Sequence, residues 1–323
     1  MSAQAKQHEV VIWAEASSVE LTRTLMGRMS EMHATAVGGH RRTGLADLAE
    51  AVDAPVVDDL RRILIERPPA YLLLASATGV TVDELRQARQ AGTTVLALEP
   101  TLGSEQTHDD IANDPHSPPP PILGWWWRQS PAWLAAADPQ QAVGSVRGAN
   151  VVTLAPAYTA SLLARLIDAF DMLVALMGVP ESIDASLSGV LSEPPEELRG
   201  LTGHLTAHLR FADGASASLL ASDRAANWQR RLTALGSEAQ LELGDIAYRL
   251  HERDGKLIDS LEHLDQPLDA VDLLVQQWRR IISGGVIPRH QDQRTLIACC
   301  QAALLSCRTG QLESPNTLLR LGG

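Results

Sequence analysis

Over its first hundred residues the chain alternates short apolar runs with amphipathic stretches, and this alternation restricts what it can fold into. Val10, Val11, Ile12 and Trp13 form one run, so His8–Ala14 reads as a buried strand. Ser17 and Glu20 follow at the spacing of a helix capping box, and Leu21, Leu25, Met29 and Met32 then recur at helical spacing. Residues 34–37 read as a second strand, 45–52 as a helix, 55–57 as a short extended piece and 58–67 as a helix. Tyr71–Ala75 is another apolar strand. Thr81 and Glu84 offer a second capping box, Gly92 a stop, and 94–98 a further strand. Strands and helices in this order predict a parallel, doubly wound sheet, in a first domain spanning residues 1–122.

The composition changes at residues 101–121, which hold five prolines, four of them consecutive at Pro118, Pro119, Pro120 and Pro121. Such a polar, proline-rich stretch reads as a linker or lid. The second half has a different pattern. A long apolar helix is expected over 157–177, ending at Gly178. Strands are expected at 182–187, 201–211, 215–222, 229–235, Ala239–Leu243 and 248–253, with Asp213-Gly214 and Asp254-Gly255 as hairpin turns. Helices over 268–282 and 292–308 close the chain. Residues 123–323 are therefore expected to form an α+β domain with an open, mostly antiparallel sheet.

The totals narrow the function classes. The net charge of −12 argues against a nucleic-acid surface. No apolar run approaches the ~18–20 residues that span a membrane. Residues 1–8 are polar and carry no export signal. Cys299, Cys300 and Cys307 share one expected helix without a C-x-x-C pair, so a reducing, cytoplasmic setting is expected. Ten histidines form no metal motif: His204 and His208 lie four apart on a strand, roughly 13 Å from one another. Lysine occurs only at Lys6 and Lys256, which leaves few places for a catalytic lysine.

Several segments together resemble the Gfo/Idh/MocA oxidoreductases over nearly the full length. They are the first strand and turn, the run from Asp53 to Leu60, the strand Val95-Leu-Ala-Leu-Glu-Pro100, the run from Leu176 to Ala185, the hairpin Phe211-Ala-Asp-Gly214, and A-L-L-S-C-R-T-G-Q from Ala303 to Gln311. The resemblance implies an α/β chain: a Rossmann-like domain followed by a C-terminal open-sheet domain. It implies a nicotinamide cofactor, a sugar or polyol substrate, and homo-oligomers formed through the C-terminal sheet, whose polar face would carry His204, Thr206, His208 and Arg210.

This chain departs from the family's chemistry at each site. The dinucleotide cradle needs G-x-G-x-x-G so that backbone can approach the pyrophosphate. Ala14, Ala16 and Val19 stand there, and Glu15 adds negative charge. If Glu15 points inward, one like-charge pair at ~5 Å and a dielectric of ~20 costs about 3 kcal/mol; if it points outward it costs little. Gly39 occupies the position of the ribose-binding acid, followed by His40, Arg41 and Arg42. Those three are either a 2′-phosphate site for NADP or a solvated basic turn. Glu99 stands in place of the family's lysine, and an ionised carboxylate has no proton to donate. On the long helix the family's D-x-G-x-H-x-x-D positions read Ala164, Leu166, Asp168 and Asp171, so Asp168 replaces the histidine. Asp168 is either a general base or a helix-surface acid.

Trp125, Trp126, Trp127 and Trp133 gather four of the chain's seven tryptophans around Arg128. They read either as a surface for a sugar-like ligand or partner, through stacking and cation–π contact, or as a core plug. The expectation is a degenerate, non-catalytic relative that binds a ligand or partner or serves as a structural subunit, with no NAD or NADP expected to bind. Its alternative is an NADP- or NAD-dependent oxidoreductase with a non-standard site.

Overall fold

The computed structural model describes residues 7–75, 80–100, 121–136, 139–189, 193–262, 269–284 and 293–321. The proline-rich stretch at 101–120 lies outside them. The chain divides into two compact units, Met1–Trp125 with Leu274–Gly285, and Trp126–Leu273 with Val286–Gly323.

In the first unit β1 (His8–Ala14), β2 (Met32–Gly38), β3 (Val56–Val57), β4 (Tyr71–Ala75), β5 (Thr94–Ala97) and β6 (Ile122–Leu123) form one sheet. Its order is β3-β2-β1-β4-β5-β6, and every pairing is parallel. Between the strands run α1 (Val19–Arg28), α2 (Leu45–Ala51), α3 (Leu60–Glu66) and α4 (Val82–Gln90). Val11, Trp13, Leu72 and Leu74 pack on one face with Leu60, Leu64 and Ala88, which fixes the doubly wound layering. The Thr81–Glu84 box forms: Glu84 N–H donates to the Thr81 hydroxyl at 3.2 Å, and Thr81 N–H donates to the Glu84 carboxylate at 2.7 Å. The Ser17–Glu20 box does not form. Residues Ala16–Ser18 make a 3-10 turn instead, and α1 begins only at Val19.

The second unit contains α5 (Pro131–Ala135), α6 (Pro139–Val143), β7 (Val146–Leu154), α7 (Leu162–Met177), β8 (Ser182–Ser188), β9 (His204–Arg210), β10 (Ser216–Ser222), β11 (Gln229–Gly236), β12 (Ala239–Leu243), β13 (Tyr248–Glu252) and β14 (Leu257–Leu261). The helices α8 (Ala270–Ile282), whose residues from Leu274 onward belong to the first unit, α9 (Gln293–Thr309) and α10 (Pro315–Leu321) follow. The eight strands pair in the order β14-β13-β12-β11-β7-β10-β9-β8. Only β7 and β10 run parallel; the remaining pairs are antiparallel. Gly214 and Gly255 take φ of +81° and +87°, as the two expected hairpin turns require. One face of the sheet is covered, with α7 against β7 and β10 and α9 against β8. On β9 the leucines and Ala207 are buried while His204, Thr206, His208 and Arg210 are exposed, which is the expected alternation.

Three expectations are corrected here. The long helix starts at Leu162, because Ser161 caps it by accepting from Ala164 N–H at 3.1 Å. The strand expected from residue 201 starts at His204, after a 3-10 turn at Leu198–Gly200. The strand β7, which lies among the central strands of the sheet, has no counterpart in the sequence reading.

Candidate functional site

In a parallel sheet ligands approach the carboxyl ends of the strands where the strand order reverses. Here that point lies between β1 and β4. The turn after β1 is laced to the end of β4. Glu15 N–H donates to the Ala75 carbonyl at 3.3 Å. The Ser18 hydroxyl lies against two carbonyls, Glu15 O at 2.9 Å and Ala75 O, and accepts from Glu15 N–H at 3.3 Å. Ser18 N–H is engaged by Glu15 O at 3.0 Å. Of the backbone donors in this turn, Glu15 N–H and Ser18 N–H are thus spent on the protein itself. Ala14 is buried, Glu15 and Val19 are half-buried, and Ala16 is exposed.

At the end of β2, Gly39 packs directly on this turn. A Cβ built at Gly39 would overlap the Ala14 carbonyl oxygen, so no acid fits at that position without moving the backbone. His40, Arg41 and Arg42 are all exposed, and Arg42 pairs with Asp58 at 3.0 Å with both side chains about three-quarters or more in solvent. Glu99 is half-buried just after β5. Trp125, also in this unit, is buried.

The helix acids belong to the second unit and are deep inside it. The α7 sequence is apolar nearly all round, and all but two of its sixteen residues are buried. Asp168 and Asp171 are 3% and 0% exposed. Asp171 takes a two-pronged contact from Arg128, Nε at 2.6 Å and Nη2 at 2.8 Å, and accepts from Trp126 Nε1 at 2.8 Å. Burial pushes the Asp171 carboxyl above its ordinary value, against the pull of Arg128 and Trp126. Asp168 accepts from Trp127 N–H at 2.8 Å, Arg230 Nη1 at 3.1 Å and Arg165 Nη1 at 3.4 Å. Arg230 also meets Asp245 at 2.5 Å, and Trp228 Nε1 donates to Asp245 at 3.0 Å. Burial works against the charge on Arg230, but Asp245 and Asp168 outweigh it and hold its pKa up. Arg165 lies 4.1 Å from the Trp228 ring centroid, and Arg230 lies 5.2 Å from it.

The result is a balanced core of three aspartates and three arginines, walled by Trp126, Trp127 and Trp228. Asp168 is not the helix-surface acid of one sequence reading. Its carboxylate oxygens are engaged by the protein's own donors, which leaves it poorly placed to take a proton from a substrate hydroxyl. Of the tryptophan group, Trp126 and Trp127 are buried in this core, Arg128 is its outermost cation, and Trp133 is half-buried on α5. Sequence reasoning missed Arg165, Trp228, Arg230 and Asp245; the available signal was three charges at i, i+3 spacing in an otherwise apolar helix. Among the described residues no three of His, Cys, Asp or Glu are grouped to hold a metal, and no helix is long and apolar enough to cross a membrane.

No protein-family model matches the sequence, and no curated protein does. Solved structures do match. Levoglucosan dehydrogenase in complex with NADH and L-sorbose aligns with a TM-score of 0.68 at 14% identity, covering 96% of this chain and 99% of that one. The UDP-N-acetylglucosamine 3-dehydrogenase GnnA from Acidithiobacillus ferrooxidans aligns at 0.67 and 15%, covering 94% and 98%. GenD2 from gentamicin A biosynthesis, in complex with NAD, aligns at 0.69 and 15%, covering 97% of each. The chain has the fold of these NAD-binding dehydrogenases of the Gfo/Idh/MocA type.

Proposed function

We propose that this chain is an oxidoreductase-like protein without dehydrogenase activity, which serves as a structural or partner-binding subunit. The observation that carries this reading is the lacing of the β1 turn to the end of β4 through Ser18 and Glu15. A dinucleotide does not fit there as it would on a glycine-rich turn. Two of the turn's backbone donors, Glu15 N–H and Ser18 N–H, are engaged, and Gly39 leaves no room for an acid on the ribose. Glu99 in place of a lysine, and the saturated Asp168 and Asp171, support the same conclusion from independent positions. The surface, rather than a cofactor cleft, is what it offers to others. A reducing, cytoplasmic setting belongs to this reading, which fits three unpaired cysteines.

The second reading is an NAD- or NADP-dependent oxidoreductase acting on a sugar or polyol. It is favoured by the neighbours solved with NADH and L-sorbose or with NAD. It would use His40, Arg41 and Arg42 toward a 2′-phosphate, and Trp125, Trp126, Trp127 and Arg128 toward the sugar. Turnover at the nicotinamide absorbance band, with NAD and NADP against a panel of sugars and polyols, separates the two. The first reading expects no absorbance change above a no-enzyme control. Steady reduction of either coenzyme would establish the second.

A further inference from the structure

We propose that one hydroxyl, that of Ser18, is the lock that keeps a dinucleotide out of the turn after β1, and that the replaced glycines are secondary to it. The proposal rests on the non-catalytic reading above and names the residue that enforces it.

The alanines do not account for the closure. Glycine is needed in a turn where φ is positive, and no residue from Ala14 to Val19 has a positive φ. Glu15 is extended at φ −106°, and Ser18 lies at −102°. The Ala14 side chain is buried in the sheet, where Ala14 stands beside Ala75, and Ala16 is exposed. The turn has an unstrained shape that alanine adopts as readily as glycine.

Ser18 differs because its side chain joins two segments 57 residues apart. The hydroxyl accepts from Glu15 N–H at 3.3 Å. Its single proton is shared between Glu15 O, at 2.9 Å, and Ala75 O. Glu15 N–H also reaches Ala75 O at 3.3 Å, so the turn is pinned to the carboxyl end of β4. On the other flank the chain leaving β2 closes in. A Cβ built at Gly39 would overlap Ala14 O, and one built at Gly44 would meet the Val19 side chain at 3.3 Å. That flank is close packing against backbone. The β4 flank depends on a side chain that one substitution removes. A pyrophosphate at such a turn needs backbone N–H groups directed at it. Losing the Ser18 hydroxyl withdraws one of the two acceptors of Glu15 N–H and the side-chain tie to Ala75 together.

The test compares Ser18→Ala, Ser18→Thr and the pair Ala14→Gly with Ala16→Gly, each in the full chain. Amide hydrogen exchange at Glu15 should quicken about tenfold in Ser18→Ala and keep its wild-type rate in Ser18→Thr, which retains the hydroxyl. Calorimetric titration with NADH to millimolar concentration should give saturable heat for Ser18→Ala alone. The wild type, Ser18→Thr and the glycine pair should give none. Binding by the glycine pair with Ser18 in place, or wild-type exchange at Glu15 in Ser18→Ala, would overturn the proposal. A folded Ser18→Ala chain that takes no NADH would sink the lock and leave the non-catalytic reading standing. NADH binding by the wild type would sink both.

Discussion

Exchanging the Arg128–Asp171 pair should separate a structural staple from a working acid. Asp171 is fully buried, and the Arg128 side chain is 13% exposed. Asp171→Ala removes the partner of two guanidinium nitrogens and of the Trp126 indole N–H. Breaking a buried pair from one side costs about 3–5 kcal/mol. Arg128→Ala leaves a carboxylate with the Trp126 donor, and should cost less, because the burial that already raises the Asp171 pKa lets it neutralise. Replacing both, Asp171→Leu with Arg128→Met, removes the buried charges together and should fall within about 1 kcal/mol of wild type, or exceed it. Urea unfolding at neutral pH measures all these variants. The staple account requires strong non-additivity, a coupling of several kcal/mol from the matching cycle of single and double variants. Single variants that each cost under about 1 kcal/mol and simply add would refute it.

Other positions give independent checks. Gly39→Asp should lose about 1–3 kcal/mol in a thermal or urea melt, because its Cβ meets the Ala14 carbonyl; a neutral outcome removes the close-packing argument at the ribose position. Trp127→Ala opens a cavity in a fully buried site and withdraws the indole donor to Gly244 O, so about 3–5 kcal/mol should be lost, read by the urea midpoint. For pH, burial raises the Cys299 and Cys300 thiols above their ordinary 9.0 in the folded chain. Raised folded values mean that this stability is complete below pH 9 and falls as pH climbs toward the folded values. Between pH 8 and pH 10 the folded chain should lose stability through these thiols, and a Cys299→Ala, Cys300→Ala double variant should lose less. An identical pH slope in that variant would assign the alkaline loss elsewhere.

The fold was legible because its elements are signalled locally. His8–Ala14, Tyr71–Ala75 and Ala239–Leu243 have the expected bounds, and Thr81 with Glu84 forms the expected box. The strand β7 was hidden because Gly148, Ala149 and Asn150 interrupt its apolar pattern, and they do so because its open face is lined with small and polar groups. At the β1 turn the expected Ser17 cap is absent, and the Ser18 hydroxyl instead ties Glu15 to the Ala75 carbonyl without capping α1. The substituted positions of the candidate site were visible as letters: Ala14, Gly39, Glu99 and Asp168. What occupies them was not. Asp168 and Asp171 look like a solvated stripe when read along α7, and their partners Arg128 and Arg230 lie 43 and 62 residues away. Pairings of that range are set by the fold and leave no periodic mark in the sequence.

Titration of the full chain with NADH and NADPH, followed by calorimetry and by thermal melting, addresses the laced β1 turn most directly. A turn closed on itself predicts no saturable heat and an unmoved melting temperature up to millimolar coenzyme. Saturable binding, with the roughly 2.7 kcal/mol of stabilisation that ligand at 100 times its Kd confers, would contradict the account.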